Sequence, residues 1–412
     1  MSKWGRYPAL AVRVSVVCAC LLGIWESWKF DRSERLYYRY TPESIRAAIR
    51  VEPDCWWCYI PLAQKDELHA EELLRTSLRL NPYNSDAAID LALRYEAHGD
   101  IQHAETFLLQ AFEVDRTYAP RWGLANFYFR RDNLPAFWSW IRRATEMPAE
   151  DIGGLFELCW RASPDAKTIE ANIDEDNPDV DRQFVKFLFS KDRPAPAVHS
   201  ALKFLSIVSP ERDGVWKDSD QLLFFDVLEK LIDTGDAADA NMLWHGLIRY
   251  HWIVADTSIP NNPQFARDPL PIRFDWTLVS DNGLHSWPGS VGLETEFAGQ
   301  EPEVCIVAEQ IVALPPGNFR LESSYHTRGI APNTGIRWEI ANPKSDVVLT
   351  HSASLASDSP AKVGLSFSVS ADQPFLRLQL AYHREPGTMR VTGSLVVTSI
   401  KIEPIKIEPA TR

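Results

Sequence analysis

A period of 34 residues in the first half of the sequence constrains the fold of this chain more than any other feature. The residues that recur at this spacing are small or apolar, and the matching pairs are Ala70 and Ala104, Leu74 and Leu108, and Ser77 and Ala111. Small side chains at fixed positions allow two antiparallel helices to pack closely, which is typical of helical-hairpin repeats. One hairpin cannot bury its apolar stripe alone, so the period predicts a stack of units that offers a surface for partners.

Two units of this kind are clear, at 51–84 and 85–118, and a third follows them in a weaker form. In the second unit, Gly99-Asp100 is typical of a helix end followed by a turn. In the third unit, Trp138 stands where a small residue is expected. The other residues assigned to the repeat positions of the third unit are Trp122, Ala125 and Phe129.

Helical composition continues beyond the third unit to about residue 252, although the period is lost there. The turn pattern returns once, because Gly235-Asp236 is followed by Ala240 at the spacing found in the second unit. These observations predict an all-α solenoid at 41–256. A linker that is dense in Pro and Asn is predicted to follow it at 257–271.

Beyond the linker, at 272–408, apolar residues alternate with polar ones, which is the pattern of β-strands. Trp276, Trp338 and Tyr382 belong to the apolar, core-facing sets of three such segments. Turn dipeptides such as Pro316-Gly317 separate about eight or nine short strands. The chain is therefore predicted to end in an antiparallel, jelly-roll-like β-sandwich.

The segment 1–40 predicts a membrane anchor and a juxtamembrane stretch. An apolar run from Ala9 to Trp25, interrupted by Arg13, is about 17 residues long, which is the short limit for a spanning helix. A cleaved signal peptide and a lipidated Cys20 are the alternatives to an uncleaved anchor. Basic residues flank the run on both sides, so charge alone does not set the orientation. We expect a single-pass protein of the bacterial inner membrane with its soluble body on the periplasmic side, because a signal-like start and a C-terminal sandwich both fit that side.

The helical half resembles the tetratricopeptide repeat family over residues 41–150, on the small and aromatic positions quoted above. The β half is similar to jelly-roll carbohydrate-binding modules, on the strand entry Leu314-Pro-Pro-Gly-Asn-Phe-Arg-Leu321 and the final strand Gly393-Ser-Leu-Val-Val-Thr-Ser-Ile400. The combination of anchor, repeats and sandwich is similar to proteins of bacterial exopolysaccharide export loci. This resemblance implies an accessory role at the cell envelope.

The formal net charge of −13 argues against a nucleic-acid partner, since binding to a phosphate backbone requires a basic face. The repeats favour a non-enzymatic scaffold that contacts proteins, in the assembly or export of a cell-surface polysaccharide. One alternative is a glycan-acting enzyme that uses carboxylates of the sandwich, namely Glu294, Glu296, Glu322 and Glu339. Another is a general envelope-assembly adaptor with a purely structural sandwich. The sequence predicts no catalytic residue, no cofactor and no metal site.

The motif Cys55-Trp-Trp-Cys58 leaves three interpretations open. Cys58 occupies the small position that Ala92 fills in the next repeat, which favours simple packing. The two thiols could instead form a structural disulfide or a redox pair. Haem attachment is disfavoured because Tyr59 stands where His is required, and no second pair of ligands predicts a zinc site.

Two surfaces are candidates for binding. The first helix of each hairpin is predicted to line a concave face, and the polar residues on these helices that could contact a protein are Asp90, Arg94, Asn126 and Arg130. A glycan site requires an exposed aromatic platform with polar neighbours. Trp287, in a predicted loop, is the platform candidate. The polar residues expected on the sheet face opposite the core are Arg337, Glu339, Arg377 and Gln379.

Overall fold

The computed structural model of the protein describes residues 7–173, 177–208, 218–255, 257–280 and 283–405. The chain divides into two compact units, Met1–Val180 and Asp181–Arg412. The first unit is helical, and the second contains further helices and an antiparallel β-sandwich. The predicted fold class of tetratricopeptide-type helical repeats followed by a sandwich is confirmed.

Helix α11 crosses the division between the two units. The helices that precede it are α1 (Tyr7–Tyr37), α2 (Pro42–Val51), α3 (Trp56–Lys65), α4 (Ala70–Leu80), α5 (Ser85–Ala97), α6 (Ile101–Val114), α7 (Tyr118–Arg130), α8 (Leu134–Glu146), α9 (Gly153–Ala162) and α10 (Ala166–Glu170). The helices of the second unit are α11 (Pro178–Ser190), α12 (Pro194–Ile207), α13 (Asp218–Thr234) and α14 (Ala237–Arg249).

Small buried residues hold the repeat hairpins α3–α4 and α5–α6 together. Ala70 and Ala104 have no exposed surface, and Ser77 and Ala111 are equally buried. Larger side chains at such closely packed positions would force the helices apart at a cost of about 1–3 kcal/mol. The period of 34 residues is therefore set by the contact between the two helices of each hairpin.

The third hairpin, α7–α8, follows the second at a spacing of 33 residues at its helix contact, which corrects the predicted register. Phe137, rather than Trp138, takes the position of Ala104 and is fully buried. The cause is the turn that precedes α7, because Asp115–Thr117 is one residue shorter than the turn Asn81–Asn84 that precedes α5. Of the residues assigned to this unit, Ala125 is buried, whereas Trp122 and Phe129 are partly exposed.

Hydrogen bonds between tyrosine and glutamate repeat along the stack. Tyr95 of α5 donates its hydroxyl hydrogen to Glu71 of α4 at 2.6 Å, and Tyr128 of α7 donates to Glu105 of α6 at 2.5 Å. Burial, together with the bond to Glu105, raises the pKa of Tyr128 to about 12, so the hydroxyl group keeps its proton at neutral pH. Each bond joins one hairpin to the next and thereby fixes their stacking.

Polar caps and a left-handed residue shape the turns within the hairpins. Asp100 and Asn133 accept hydrogen bonds from the backbone N–H groups of His103 and Ala136, at 3.2 and 3.3 Å. Gly99, which precedes the cap of α6, has a φ of +82°, a conformation that favours glycine. The predicted helix end and turn at Gly99-Asp100 is confirmed by this geometry.

Helix α1 has two different environments along its length. Its C-terminal part packs on α2, where Ser33 donates a hydrogen bond to the carbonyl oxygen of Ala48 at 3.3 Å. Its N-terminal part exposes apolar side chains from Val12 to Phe30. Among the residues that the structure describes, no helix meets the length and hydropathy needed to cross a membrane.

The sandwich in the second unit contains two five-stranded sheets within the described residues. Sheet A has the strand order β1-β4-β9-β6-β7, and sheet B has the order β2-β3-β10-β5-β8. The strands are β1 (Thr277–Leu278), β2 (Leu284–Gly289), β3 (Gly292–Ala298), β4 (Val304–Ala313), β5 (Gly317–Arg328), β6 (Ile336–Ala341), β7 (Val348–His351), β8 (Ala361–Val369), β9 (Phe375–His383) and β10 (Thr392–Pro404).

The core between the two sheets contains the aromatic residues that alternation assigned to it. Trp276, Trp338 and Tyr382 have at most 1 % of their surface exposed. The segment 257–271, predicted as a linker, joins this core rather than standing apart from it. Phe265 packs on Trp276 with ring centroids 4.8 Å apart, and Trp276 Nε1 donates a hydrogen bond to the carbonyl oxygen of Asn262 at 3.1 Å.

Candidate functional site

A groove crosses the first helices of three successive hairpins, α3, α5 and α7, and has a volume of about 580 Å³. Its apolar lining includes Ile60, Ile89, Leu93, Tyr118 and Trp122. Its polar lining includes Gln64, Asp86, Asp90, Asn126 and Arg130. The structure thus brings together three of the four predicted partner-binding residues, and Arg94 lies outside the lining.

Apolar side chains in this groove remain available to a partner. Leu93 is 44 % exposed, although it lies between two other repeats. The rings of Tyr118 and Trp122 stack with centroids 6.2 Å apart and present a continuous aromatic wall. Gly123 leaves room beside this wall, since a Cβ atom there would come within 3.2 Å of the Leu108 side chain. Burial raises the pKa of Tyr118, so its phenol stays neutral.

Asp90 is the acidic residue most enclosed by the groove. Gln64 donates a hydrogen bond from its side-chain amide to Asp90 Oδ2 at 3.1 Å. Burial raises the pKa of the Asp90 carboxyl group, and the bond from Gln64 offsets this rise in part. The neighbouring Asp86 is exposed at the same wall of the groove.

The predicted basic residues already have acidic partners within the stack. Arg94 donates to both carboxylate oxygens of Glu67, at 2.7 and 3.3 Å, and to the carbonyl oxygen of Ala63. Arg130 pairs with Glu96 through two hydrogen bonds. Asn126 donates its side-chain amide to the carbonyl oxygen of Trp122 within its own helix. These pairings join neighbouring repeats and leave the aspartates as the dominant charges of the groove.

The predicted glycan-binding residues lie on two different faces of the sandwich. Trp287 lies on β2 of sheet B, not in a loop, because β2 pairs with β3 along its whole length. The four polar candidates lie on β6 and β9 of sheet A, and they are Arg337, Glu339, Arg377 and Gln379. The outward faces of the two sheets point in opposite directions, so these residues do not form a single site with Trp287.

On sheet A the polar candidates bind one another. Glu339 is fully buried, and its carboxylate accepts hydrogen bonds from Arg337 at 2.8 Å and from Gln379 at 2.7 Å. Burial acts to raise the pKa of Glu339, but the bonds from Arg337 and Gln379 outweigh it and hold the pKa below its ordinary value. Arg377 pairs with Asp346 and lies 3.5 Å from Glu309. A carboxylate held in this way is a structural anchor, and it is poorly suited to donate a proton.

On sheet B, Trp287 has an aromatic neighbour that the sequence analysis missed. The ring of His285 stacks on Trp287 with centroids 4.8 Å apart and an angle of 29° between the planes. His285 and Trp287 alternate along β2, which was the available signal, but Pro288-Gly289 was interpreted as part of a loop. The two rings together form a flat aromatic surface beside polar side chains.

A shallow hollow of about 810 Å³ adjoins this aromatic surface on sheet B. Its polar lining residues are Ser280, His285, Glu296, Arg328 and Ser394. The strand register explains the arrangement, because His285 pairs with Glu296, which pairs with Ser394, which pairs with Arg328. Carboxylate, hydroxyl and guanidinium groups therefore form one row across four strands.

The carboxylates named for the enzyme alternative are divided between the two sheets. Glu294 and Glu296 lie on β3 of sheet B, whereas Glu339 lies on β6 of sheet A. Glu322, also on sheet B, is paired with Lys362 at 3.0 Å. The hydrogen bond and charge of Lys362 hold the pKa of Glu322 below its ordinary value. The geometry thus associates Glu294 and Glu296 with the aromatic surface and separates Glu339 from it.

Cys55 and Cys58 are joined in a disulfide at the start of α3, with their Cα atoms 5.5 Å apart. Both residues are fully buried and contact Ile45, Ala48 and Leu62. Cys58 therefore fills the small helix-contact position and is bonded at the same time.

No protein-family model and no curated protein sequence matches this chain. Among solved structures, PilF of Pseudomonas aeruginosa is 16 % identical over 47 % of this chain and 90 % of that chain, with a TM-score of 0.24. PilW, described as a widely conserved type IV pilus biogenesis factor, is 13 % identical over 56 % of this chain and 94 % of that chain, with a TM-score of 0.26. A structure titled for a CBM4 module is 12 % identical over 35 % of this chain and 99 % of that chain, with a TM-score of 0.28. These values are low, and the fold described above rests on the helices and strands of the chain itself.

Proposed function

We propose that this protein is a non-enzymatic scaffold that binds a partner protein in the groove formed by α3, α5 and α7. The observation that carries the proposal is the groove itself, in which exposed apolar side chains such as Leu93 line a channel across three repeats. Stacked repeats create extended concave surfaces of this kind, and exposed apolar patches mark interaction sites.

Site-specific photo-crosslinking tests this proposal in living cells. A benzophenone side chain at position Leu93 should capture a defined partner, whereas the same group at Leu109 of α6 should not capture it. Leu109 is a matched control because it is 39 % exposed, close to the 44 % of Leu93. Identical products from both positions, or none from Leu93, would overturn the proposed use of the groove.

A membrane tether at the N-terminus is the second part of the proposal. The large apolar side chains of α1 between Val12 and Trp25 are 54–67 % exposed, and they lie on all sides of the helix. A helix that is apolar all round requires an apolar environment, which a lipid bilayer supplies. Replacing Leu21 and Leu22 by Asp should move the protein from the membrane fraction to the soluble fraction. The control is Leu68→Asp, at an 87 % exposed residue of the repeat unit.

We place the soluble body in the periplasm of a bacterial cell, on the outer side of the inner membrane. The disulfide between Cys55 and Cys58 supports this location, because such bonds persist in oxidising compartments. Cells can be quenched in acid, and the denatured protein can then be alkylated before and after reduction. Cys55 and Cys58 should react only after reduction. Reaction without reductant would indicate a cytoplasmic body.

The third part of the proposal is a contact with a cell-surface polysaccharide during its assembly or export. The stacked rings of His285 and Trp287 offer the flat apolar surface on which a sugar ring can pack, and Glu296 and Arg328 offer hydrogen-bonding partners beside it. Glycan-array binding by the full chain tests this part. An absence of glycan binding would favour the alternative in which the protein is an envelope-assembly adaptor with a purely structural sandwich.

A further inference from the structure

The charges that line the repeat groove divide into paired and available groups. Arg130, the basic residue of the lining, is engaged by Glu96 at 2.8 and 2.6 Å. Asp90 accepts a hydrogen bond from the uncharged amide of Gln64, and Asp86 is exposed beside it. The groove therefore presents two carboxylates whose printed contacts include no basic partner, while its guanidinium group is neutralised from within.

Partial burial makes one of these carboxylates a strong recognition element. Asp90 is enclosed by the groove, and burial opposes its ionisation. A positively charged group that enters the groove would remove this opposition, because charge-assisted hydrogen bonds are stronger and shorter than neutral ones. An acidic segment would instead meet Asp86 and Asp90 with like charge, which disfavours binding.

The apolar wall opposite these carboxylates determines the rest of the ligand. Tyr118 and Trp122 stack on each other, and Leu93 is exposed nearby in the same groove. Aromatic faces accept both apolar side chains and cations, since the ring face carries negative charge. A ligand that combines a cation with an apolar or aromatic group would satisfy both sides of the groove.

We propose that the groove of α3, α5 and α7 binds a peptide segment in which Lys or Arg lies next to a large apolar residue. This inference rests on the proposed use of the groove for a protein partner and names the chemistry of that partner. The basic side chain pairs with Asp86 and Asp90, and the apolar side chain packs on Trp122 and Leu93.

Three fluorescent peptides that differ only in charge test this proposal with the full-length protein. All share a Trp-Leu core, and the core is flanked by Lys in the first peptide, by norleucine in the second and by Glu in the third. Fluorescence anisotropy should show that the Lys peptide binds at least about tenfold more tightly than the norleucine peptide and that the Glu peptide binds most weakly. The preference should shrink when salt is raised from about 0.01 M to about 0.15 M, because screening then acts over about 8 Å.

Substitution of the two aspartates locates the effect in the groove. The variant with Asp86→Asn and Asp90→Asn should bind the Lys peptide about tenfold more weakly and the norleucine peptide equally well. Asp132→Asn with Glu105→Gln is the control, because it removes the same charge from residues outside the groove lining. Its affinity for the Lys peptide should stay within about twofold of the wild-type value.

The possible failures separate this inference from the proposed function. Equal binding of the three peptides, abolished by Trp122→Ala, would overturn the charge preference and leave the groove as a protein-binding site. Binding of no peptide, together with no specific crosslink from Leu93, would overturn both. Salt screening of the wild-type preference provides a measurement that does not depend on how the aspartate variants fold.

Discussion

The guanidinium group of Arg130 donates two hydrogen bonds to the carboxylate of Glu96, at 2.8 and 2.6 Å. The two residues lie 34 positions apart, on α7 and α5, so the ion pair joins neighbouring hairpins. Only 8 % of the Glu96 side chain is exposed, against 38 % of Arg130. Glu96 therefore holds the basic residue of the groove from beneath and determines the net charge that a ligand meets.

Replacement of Glu96 by Gln should convert the groove from acidic to nearly neutral. Arg130 loses its charged partner, and its charge then opposes a basic ligand. We expect the Lys peptide to bind about fivefold more weakly and the Glu peptide to gain affinity, as measured by fluorescence anisotropy. Glu113→Gln, which breaks the exposed pair with Arg116, is the control and should leave both affinities unchanged. Unaltered binding by the Glu96 variant would show that the pair does not tune the groove.

Removal of the disulfide should destabilise the repeat unit moderately. Cys55 and Cys58 are only three positions apart, so the bond closes a very short loop and restricts the unfolded chain little. Chain-entropy arguments give about 2 kcal/mol for a loop of this size. Substitution of both cysteines by Ala should lower the melting temperature by several degrees, as measured by circular dichroism. A reductant should lower the melting temperature of the wild-type protein by a similar amount and leave the variant unaffected.

The helical repeats were predictable because their signal is local. Ala104, Leu108 and Ala111 must be small or apolar wherever two helices touch, and the sequence displays that requirement directly. The register of the third hairpin was not predictable in the same way. A turn shortened by one residue moves Phe137 into the helix contact, and a fixed period of 34 residues assigns that position to Trp138 instead.

The sites on the sandwich depend on contacts between distant segments, which a single sequence does not reveal. Pro288-Gly289 has the composition of a turn, yet pairing with β3 draws it into β2 and places Trp287 on a sheet face. Alternation correctly turned Glu339 away from the core. It could not show that Arg337 and Gln379 would cover that carboxylate, because Gln379 lies 40 positions away on another strand.

Substitution of Trp287 by Ala should remove the aromatic surface of sheet B without opening the core. The Trp287 ring stacks on His285 at the outward face, so the loss should affect ligand contact more than stability. Stacking interactions contribute about 0.5–1.5 kcal/mol, which predicts a decrease of about two- to tenfold in affinity for any glycan that the array identifies. Isothermal titration calorimetry measures the change. Lys362→Ala, on the far strand of the same sheet, should bind the glycan normally, and an equal loss in both variants would contradict a site at Trp287.

The buried carboxylate of Glu339 should make the stability of the sandwich depend on pH. Its pKa lies below the ordinary value of 4.5, so the folded state binds this proton less readily than the unfolded chain does. The stabilisation is therefore fully present above a pH of about 4.5 and is lost as the pH falls through the lowered pKa. Glu339→Gln should decrease the free energy of unfolding by about 1.5–3 kcal/mol at pH 7, because Arg337 loses its charged acceptor.

The pH dependence of that difference distinguishes a charge effect from a packing defect. Urea denaturation of the wild-type protein and of Glu339→Gln should give curves that converge as the pH is lowered from about 5 to about 3, because the wild-type carboxylate then becomes neutral as well. Glu403→Gln is the control, since Glu403 is an exposed residue of sheet B whose partner is Lys401. It should follow the wild-type protein at every pH. A difference between Glu339→Gln and wild type that stays constant over this range would mean that the side chain acts through its shape, and that the hydrogen bonds from Arg337 and Gln379 owe little to its charge.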